Sequence, residues 1–294
     1  GGGIGLLSVR VAGVLFVPCH WILLFYEKVC RFSARLPGAA WITGQPDWRK
    51  LLLFYLILGA VLFAMKKMKR RRGFVFIGCF MLLAVLHNPV KGFELDVLDV
   101  GQGDGIVMRT EAFTILVDGG SSSDKSLGEK TLEPCLKSMG VDTVDFAVVS
   151  HGDSDHISGL LYLMEHSEDI RVRNLILPMP GRSQEIYDEL EQAAEAAGGK
   201  VFYLAPSDCI QAGGLYLTCL YAGGEPPPSD DRNAHSLVLC ADYKGFHMLF
   251  TGDMGTEQEK GMLKLTEKEG SLQQEHLSHV QVLKVAHHGS NTSD

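Results

Sequence analysis

His151-Gly152-Asp153-Ser154-Asp155-His156 is the stretch on which the reading of this chain turns. It follows an apolar run over residues 144–149, interrupted by Asp145, which is read as a strand buried on both faces. A helix pattern over residues 157–166 starts directly after it. Imidazoles and carboxylates crowded together where a strand runs out form a cage for one or two divalent ions. The run therefore points to metal-dependent hydrolysis.

Working outward, strand patterns alternate with helices. Residues 93–100 lead into a glycine turn, Gly101-Gln102-Gly103-Asp104, followed by strands over 106–109 and 113–117. Helix patterns cover 125–139 and 184–197. Further strands recur at 174–177, 201–204, 215–220, 236–241, 247–250 and 282–286, and 224–230 reads as a surface loop. Polar residues gather where strands end: Asp118, the 151–156 run, Asn233 with His235, Asp253, and the pair His287-His288. Each alone is weak, since a lone Asp after a strand is commonly a turn residue.

The run resembles the metal motif of the metallo-β-lactamase superfamily, His-x-His-x-Asp-His, with Asp153 in place of the middle His. The resemblance narrows to ComEC-type competence proteins, membrane channels for single-stranded DNA in natural transformation. It rests on Leu98-Asp99-Val100-Gly101-Gln102-Gly103-Asp104, Ile115-Leu116-Val117-Asp118-Gly119-Gly120, Ser150-His151 through Asp155-His156, Ser236-Leu237-Val238-Leu239, Leu249-Phe250-Thr251-Gly252-Asp253 and Leu283-Lys284-Val285-Ala286-His287-His288-Gly289-Ser290. It implies an α/β class fold, a metallo-β-lactamase-like αββα sandwich over residues 92–294, C-terminally incomplete and preceded by transmembrane helices over residues 1–91. It also implies His151, Asp155 and His156 as first metal ligands, Asp253 bridging two ions, and His288 or His287 completing a second site. Asp153 is read either as a ligand or as a partner for bound water, and His235 either as a further ligand or as a plain loop histidine. Asp118 is expected to orient the metal loops, with Asp99 and Asp104 supporting from the glycine turn. The resemblance makes Asp155, Asp153 and Asp118 the catalytic candidates and Zn²⁺ or Mn²⁺ the expected ions, one or two of them.

The chemistry follows from such a cage. A divalent ion brings the pKa of a coordinated water from about 15.7 towards roughly 7. A carboxylate in place of an imidazole makes the site harder, favouring Mn²⁺ or Mg²⁺ relative to Zn²⁺.

The net charge of −8 hides an asymmetry. Residues 1–91 carry 13 Lys/Arg against 2 Asp/Glu, and the remaining residues carry 14 against 33. An acidic domain repels a polyanion unless a metal or basic partner surface offsets it, which weighs against a free-standing nuclease. In the basic third, residues 51–65 and 73–86 are apolar runs flanking Lys66-Lys67-Met68-Lys69-Arg70-Arg71-Arg72. At about 1.5 Å per residue each run covers about 21–23 Å, so flanking residues such as Trp48, Arg49 and Lys50 must complete a span of about 30 Å. Residues 4–26 form a weaker apolar segment interrupted by Arg10, Pro18 and His20. The positive-inside rule puts the cationic turn in the cytoplasm and the acidic domain on the opposite face of the plasma membrane, although Arg31, Arg35, Arg49 and Lys50 pull the other way. The 7 cysteines show no metal-knuckle or disulfide spacing and are expected to be mostly buried thiols, with a Cys209–Cys219 bridge as the one pairing to check. A first residue that is Gly and an abrupt end beyond His287-His288 read as a piece of a longer protein.

Three functions stay open. One is a multi-pass DNA-uptake channel, acting on single-stranded DNA with membrane lipid and other competence proteins as partners, whose metal-dependent domain cleaves phosphodiesters. The second is the same channel with a catalytically silent domain. The third is a membrane-anchored hydrolase of another ester or a lactam. The oligomeric state is not legible.

Overall fold

The structure, a computed structural model, describes residues 9–34, 36, 38–39, 41–67, 71–86, 90–179, 185–223, 232–267 and 271–291. The middle of the cationic turn and the loop expected over 224–230 lie outside them. The chain divides into two compact units, Gly1–Ile42 and Thr43–Asp294. Among its described residues the first contains one helix, α1 (Val9–Ala34), with Pro18 inside it.

The second unit opens with two apolar helices, α2 (Trp48–Lys67) and α3 (Arg71–Leu86). They pack closely at Gly78, where a Cβ would come within 2.5 Å of Val61 Cγ2. Their outward side chains, including Leu52, Leu56, Phe63, Phe76 and Phe80, are exposed. Among the described residues one helix, Trp48–Lys66, is long and apolar enough to cross a membrane by length and composition. The chain leading into α2 is anchored to the acidic part of the unit, since Gln45 N–H donates to the Ser138 carbonyl at 2.6 Å.

Two sheets come after the helices. The first has six strands in the order β1-β2-β3-β5-β7-β8: β1 (Phe93–Val97), β2 (Gly105–Thr110), β3 (Thr114–Asp118), β5 (Phe146–Val148), β7 (Asn174–Pro178) and β8 (Lys200–Leu204). β1 to β3 are antiparallel neighbours, and β3 to β8 run parallel. The second sheet is β13-β12-β11-β10-β9: β9 (Cys209–Ala212), β10 (Leu215–Ala222), β11 (Leu237–Tyr243), β12 (Phe246–Phe250) and β13 (Val280–Lys284). It is antiparallel except for β13, which joins β12 in parallel. β4 (Thr143–Val144) and β6 (Arg171–Val172) form a small parallel pair of their own.

The strands form because their alternate residues have somewhere to go. Met108, Ile115, Val117, Val148 and Ile176 from the first sheet meet Leu217, Cys219, Leu239, Ala241, Met248 and Phe250 from the second in one core. β2 and β3 are buried along their whole length because helices cover their other face. α5 (Ser154–His166) and α6 (Glu185–Ala196) lie outside the first sheet, burying Leu160, Leu163, Tyr187 and Leu190. α7 (Thr256–Thr266) and α8 (Leu272–Leu277) lie outside the second, over Leu220, Val238, Cys240 and Leu249. The layers are helix, sheet, sheet, helix, so the expected αββα sandwich is present.

The helix expected over 125–139 is present over most of that span, as a π-helical stretch, Gly128–Leu132, that continues with helical backbone into the short α4 (Glu133–Ser138). Pro134 near the start of α4 has no N–H to donate to the preceding turn. The thiols are not mostly buried: only Cys219 and Cys240 are, while Cys19, Cys30 and Cys79 lie exposed on the apolar helices. Cys209 and Cys219 are both free, because Cys209 sits opposite Thr218 in the β9–β10 register while Cys219 is turned into the core.

Leu239 is fully buried between the sheets. Leu239→Ala should destabilise the sandwich by about 2–5 kcal/mol, read as a lower denaturant midpoint at unchanged slope.

Candidate metal centre

The centre forms where three loops of the first sheet meet two strand ends of the second. Backbone bonds knit the loops together. Asp104 N–H donates to the Asp155 carbonyl at 3.1 Å, Gly119 N–H to the His156 carbonyl at 2.8 Å, and Gly120 N–H to the Asp104 carbonyl at 3.1 Å. The approach is so close that a Cβ on Gly120 would lie 2.5 Å from Asp155 C and His156 N, which is why glycine is needed there. The sheets are joined by Leu237 N–H donating to the Ser150 carbonyl at 2.9 Å.

Asp118 ends β3 with a left-handed φ of 56°, a conformation that Asp tolerates better than most residues. Its Oδ1 accepts from Ser150 N–H at 2.7 Å, and its Oδ2 lies 3.0 Å from His156 Nδ1. This fixes His156, on the first turn of α5, so that its Nε2 faces Asp253 Oδ2 at 3.3 Å. Asp253 follows β12, and its N–H donates to Ser236 Oγ at 3.1 Å. His288 Nε2 approaches Asp253 Oδ2 at 3.1 Å and Asp155 Oδ2 at 3.8 Å. Asp104 Oδ1 lies 3.7 Å from His288 Nδ1.

Asp104, His156, Asp253 and His288 each offer one ligand atom, and these atoms all lie within 4.8 Å of one another. His156 Nε2, His288 Nε2 and, nearby, His151 Nε2 are buried against carboxylates in charge contact but without a well-aligned hydrogen bond. Two buried imidazole nitrogens that converge on shared carboxylates without well-aligned hydrogen bonds fit a divalent ion, and carboxylate–imidazole sets suit Mn²⁺ or Zn²⁺.

The expected residues divide. His156, Asp253 and His288 enter the group. His287 does not, although it shares the tight turn with His288, both at left-handed φ (46° and 52°). His151 is fully buried, its ring 4.0 Å from that of His156. Asp155 stands at the edge of the group, against His288. Asp153 is the N-cap residue of α5 but makes no cap bond; its carboxylate lies 3.6 Å from His151 Nε2 and 3.4 Å from the Arg232 guanidinium. His235 is buried on a short 3₁₀ turn, Arg232–His235, outside the group of four. Asp118 lies behind His156, against the ring nitrogen that faces away from Asp253. Asp104 lies nearer the middle than its supporting role implies. Lys284, given no role in the sequence reading, has its Nζ 2.6 Å from Asp104 Oδ2 and 3.3 Å from Asp253 Oδ1, and it donates to the Gly252 carbonyl at 2.7 Å. Its signal was its place in the string before His287-His288.

Charge explains the protonation of the metal-free centre. Burial alone would lower the pKa of His156, but Asp118 and Asp253 outweigh it and lift the imidazole from 6.5 to about 10. Burial likewise pushes both carboxyls up, and His156 more than reverses this, holding Asp118 low and, with Lys284, Asp253 well below the usual carboxylate range. Protonated His156 thus stabilises the metal-free fold in full below pH 6.5, and that contribution is lost as pH rises through about 10.

Metal binding near about pH 8 should release roughly one proton per ion, since His156 must give up its proton to become a ligand. Calorimetry in two buffers of different ionisation enthalpy measures this, and no buffer dependence would contradict it. Asp118→Asn should weaken metal binding by about 10–100-fold while leaving the domain folded, as read by metal titration and circular dichroism.

Residues 98–211 match the model of the metallo-beta-lactamase superfamily. ComE operon protein 3 of Bacillus subtilis is 28% identical over 313 residues, covering 99% of this chain and 38% of that protein. Recombination protein 2 of Haemophilus influenzae is 27% identical over 73% of this chain and 24% of its own length. Competence protein ComA of Neisseria gonorrhoeae is 29% identical over 70% of this chain and 25% of its own. The chain thus spans well under half the length of these curated relatives. Sandwich topology and family match agree: this is a metallo-β-lactamase fold, in a chain similar to competence proteins along nearly its whole length.

Proposed function

We propose that the sandwich is a metal-dependent phosphodiesterase that acts on a DNA strand handled by a DNA-uptake channel in natural transformation. The observation that carries it is the convergence of Asp104, His156, Asp253 and His288 in a chain similar to competence proteins. A divalent ion bound there would polarise a phosphoryl oxygen and make a water acidic enough to attack at neutral pH.

The chain's own groups do the remaining work. Asp118 keeps the His156 ring aimed at the ion and fixes which nitrogen carries the proton. Asp155, at the edge beside His288, is the carboxylate placed to take a proton from an attacking water. Lys284 brings a cation between Asp104 and Asp253, which lowers the charge that a phosphate must approach. Arg232, at the rim with Asp153, offers a second cation to a polyanion. With Lys284 already neutralising part of the carboxylate set, the centre is suited to one ion rather than two.

On this reading the domain boundary falls at 91/92, after the α2–α3 hairpin. The cationic turn favours a multi-pass plasma-membrane protein with the sandwich on the outer face, where it meets the incoming strand beside other competence proteins. One observation favours a second reading, a silent domain that keeps its shape without turnover. Lys284 bridges two carboxylates as a bound cation would.

The chain in detergent, given Mn²⁺, Zn²⁺ or Mg²⁺, should cleave labelled single-stranded DNA. Asp253→Asn should reduce the rate by about 100-fold or more. Intact DNA despite stoichiometric bound metal, together with unimpaired uptake in cells carrying Asp253→Asn, would establish the silent domain instead.

A further inference from the structure

A second set of ligand-type side chains converges on the outer face of the second sheet. Cys240 lies on β11, His247 on β12 and His276 on α8, and one ligand atom from each lies within 4.8 Å of the other two. The β11–β12 register pairs Asp242 with His247 and Cys240 with Leu249, so these four share one face. It is the face that α7 and α8 cover with Met262, Leu272 and Leu277. Within this apolar layer Cys240 is buried, its Sγ 4.0 Å from His247 Nδ1. His276 Nδ1 is buried and makes no hydrogen bond. An unsatisfied imidazole nitrogen beside a buried thiol and a second imidazole calls for an explanation that apolar packing does not give.

We propose that Cys240, His247 and His276 form a separate structural site for Zn²⁺, which staples α8 to the β11–β12 hairpin. One sulfur and two imidazoles form a softer set than the carboxylate-rich centre, and such a set selects zinc over Mg²⁺, Ca²⁺ or Mn²⁺. A tetrahedral ion needs a fourth ligand. The exposed His279, whose ring lies 6.2 Å from that of His247, or Asp242, whose Oδ2 lies 3.8 Å from His247 Nε2, can supply it, as can water. Cys240 binds as the thiolate, its proton passing to solvent.

The location gives the staple a purpose. His247 is near the start of β12, whereas Asp253 follows its end, so the two sites occupy opposite ends of one strand. α8 runs through a short turn straight into β13, a half-exposed edge strand paired only with β12. That strand delivers Lys284 and His288 to the centre. Fixing α8 fixes the approach of both.

Cobalt separates the sites, because only a thiolate ligand gives a sulfur-to-cobalt charge-transfer band and the Asp/His centre has no sulfur. The detergent-solubilised chain titrated with Co²⁺ should show this band, and equimolar Zn²⁺ should remove it. The band should persist in Asp253→Asn and vanish in Cys240→Ser. His276→Gln should weaken cobalt binding at this site by about tenfold or more. Bound cobalt without the band in the parent chain would overturn the proposal, as would a band that survives Cys240→Ser. Should Cys240→Ser not fold, an unchanged affinity in His276→Gln overturns it equally.

Discussion

A buried imidazole held between two carboxylates is what the rest of this molecule is arranged around. Asp118 comes from the first sheet and Asp253 from the second, and His156 spans them at 3.0 and 3.3 Å. Three ionisable groups this deep are tolerable only while each has its partners, and removing one from such a set costs about 3–5 kcal/mol. The sandwich therefore cannot slide or splay at this edge without stranding a charge. The core between the sheets supplies most of the stability, but this triad fixes how the two sheets meet. It also leaves His156 Nε2 aimed where His288 and Asp104 converge.

Much of this was legible in the sequence because it depends on local pattern. Apolar runs marked the doubly buried strands, although Asp145 divides the one over 144–149 into β4 and β5, and polar residues at strand ends marked one edge of the sandwich. Local pattern could not show which of the neighbouring carboxylates faces inward. Asp153 and Asp155 sit in the same short run, yet Asp153, at the N-cap position of α5 without a cap bond, turns to Arg232 and His151, while the carboxylates of the group come from Asp104 and Asp253 on other loops. The choice between His287 and His288 depended on backbone turns with positive φ that no propensity encodes. Lys284 reads as an ordinary strand lysine until β13 is laid parallel to β12. The helices α7 and α8 escaped notice because their sequences, such as Thr-Glu-Gln-Glu-Lys-Gly-Met-Leu-Lys-Leu-Thr, are mostly polar and bury only a narrow stripe.

The N-terminal third illustrates a different limit. Hydropathy located α2 and α3 well, and the structure lengthens α2 by the flanking residues that a membrane span requires. The charge asymmetry between the thirds matches a division of labour, with cations beside the apolar helices and carboxylates in the sandwich. Membrane geometry itself, meaning tilt, sidedness and neighbouring helices, is set by lipid and by partners, and neither is written in the periodicity of a single run.

The parallel β13 also concentrates risk. Among the described residues it is an edge strand whose ladder partner is β12. Both Lys284, at its end, and His288, just beyond it, reach the centre through this one pairing. Fraying of β13 from β12 would therefore withdraw a cation and an imidazole together while His156, Asp118 and Asp253 stay joined across the two sheets.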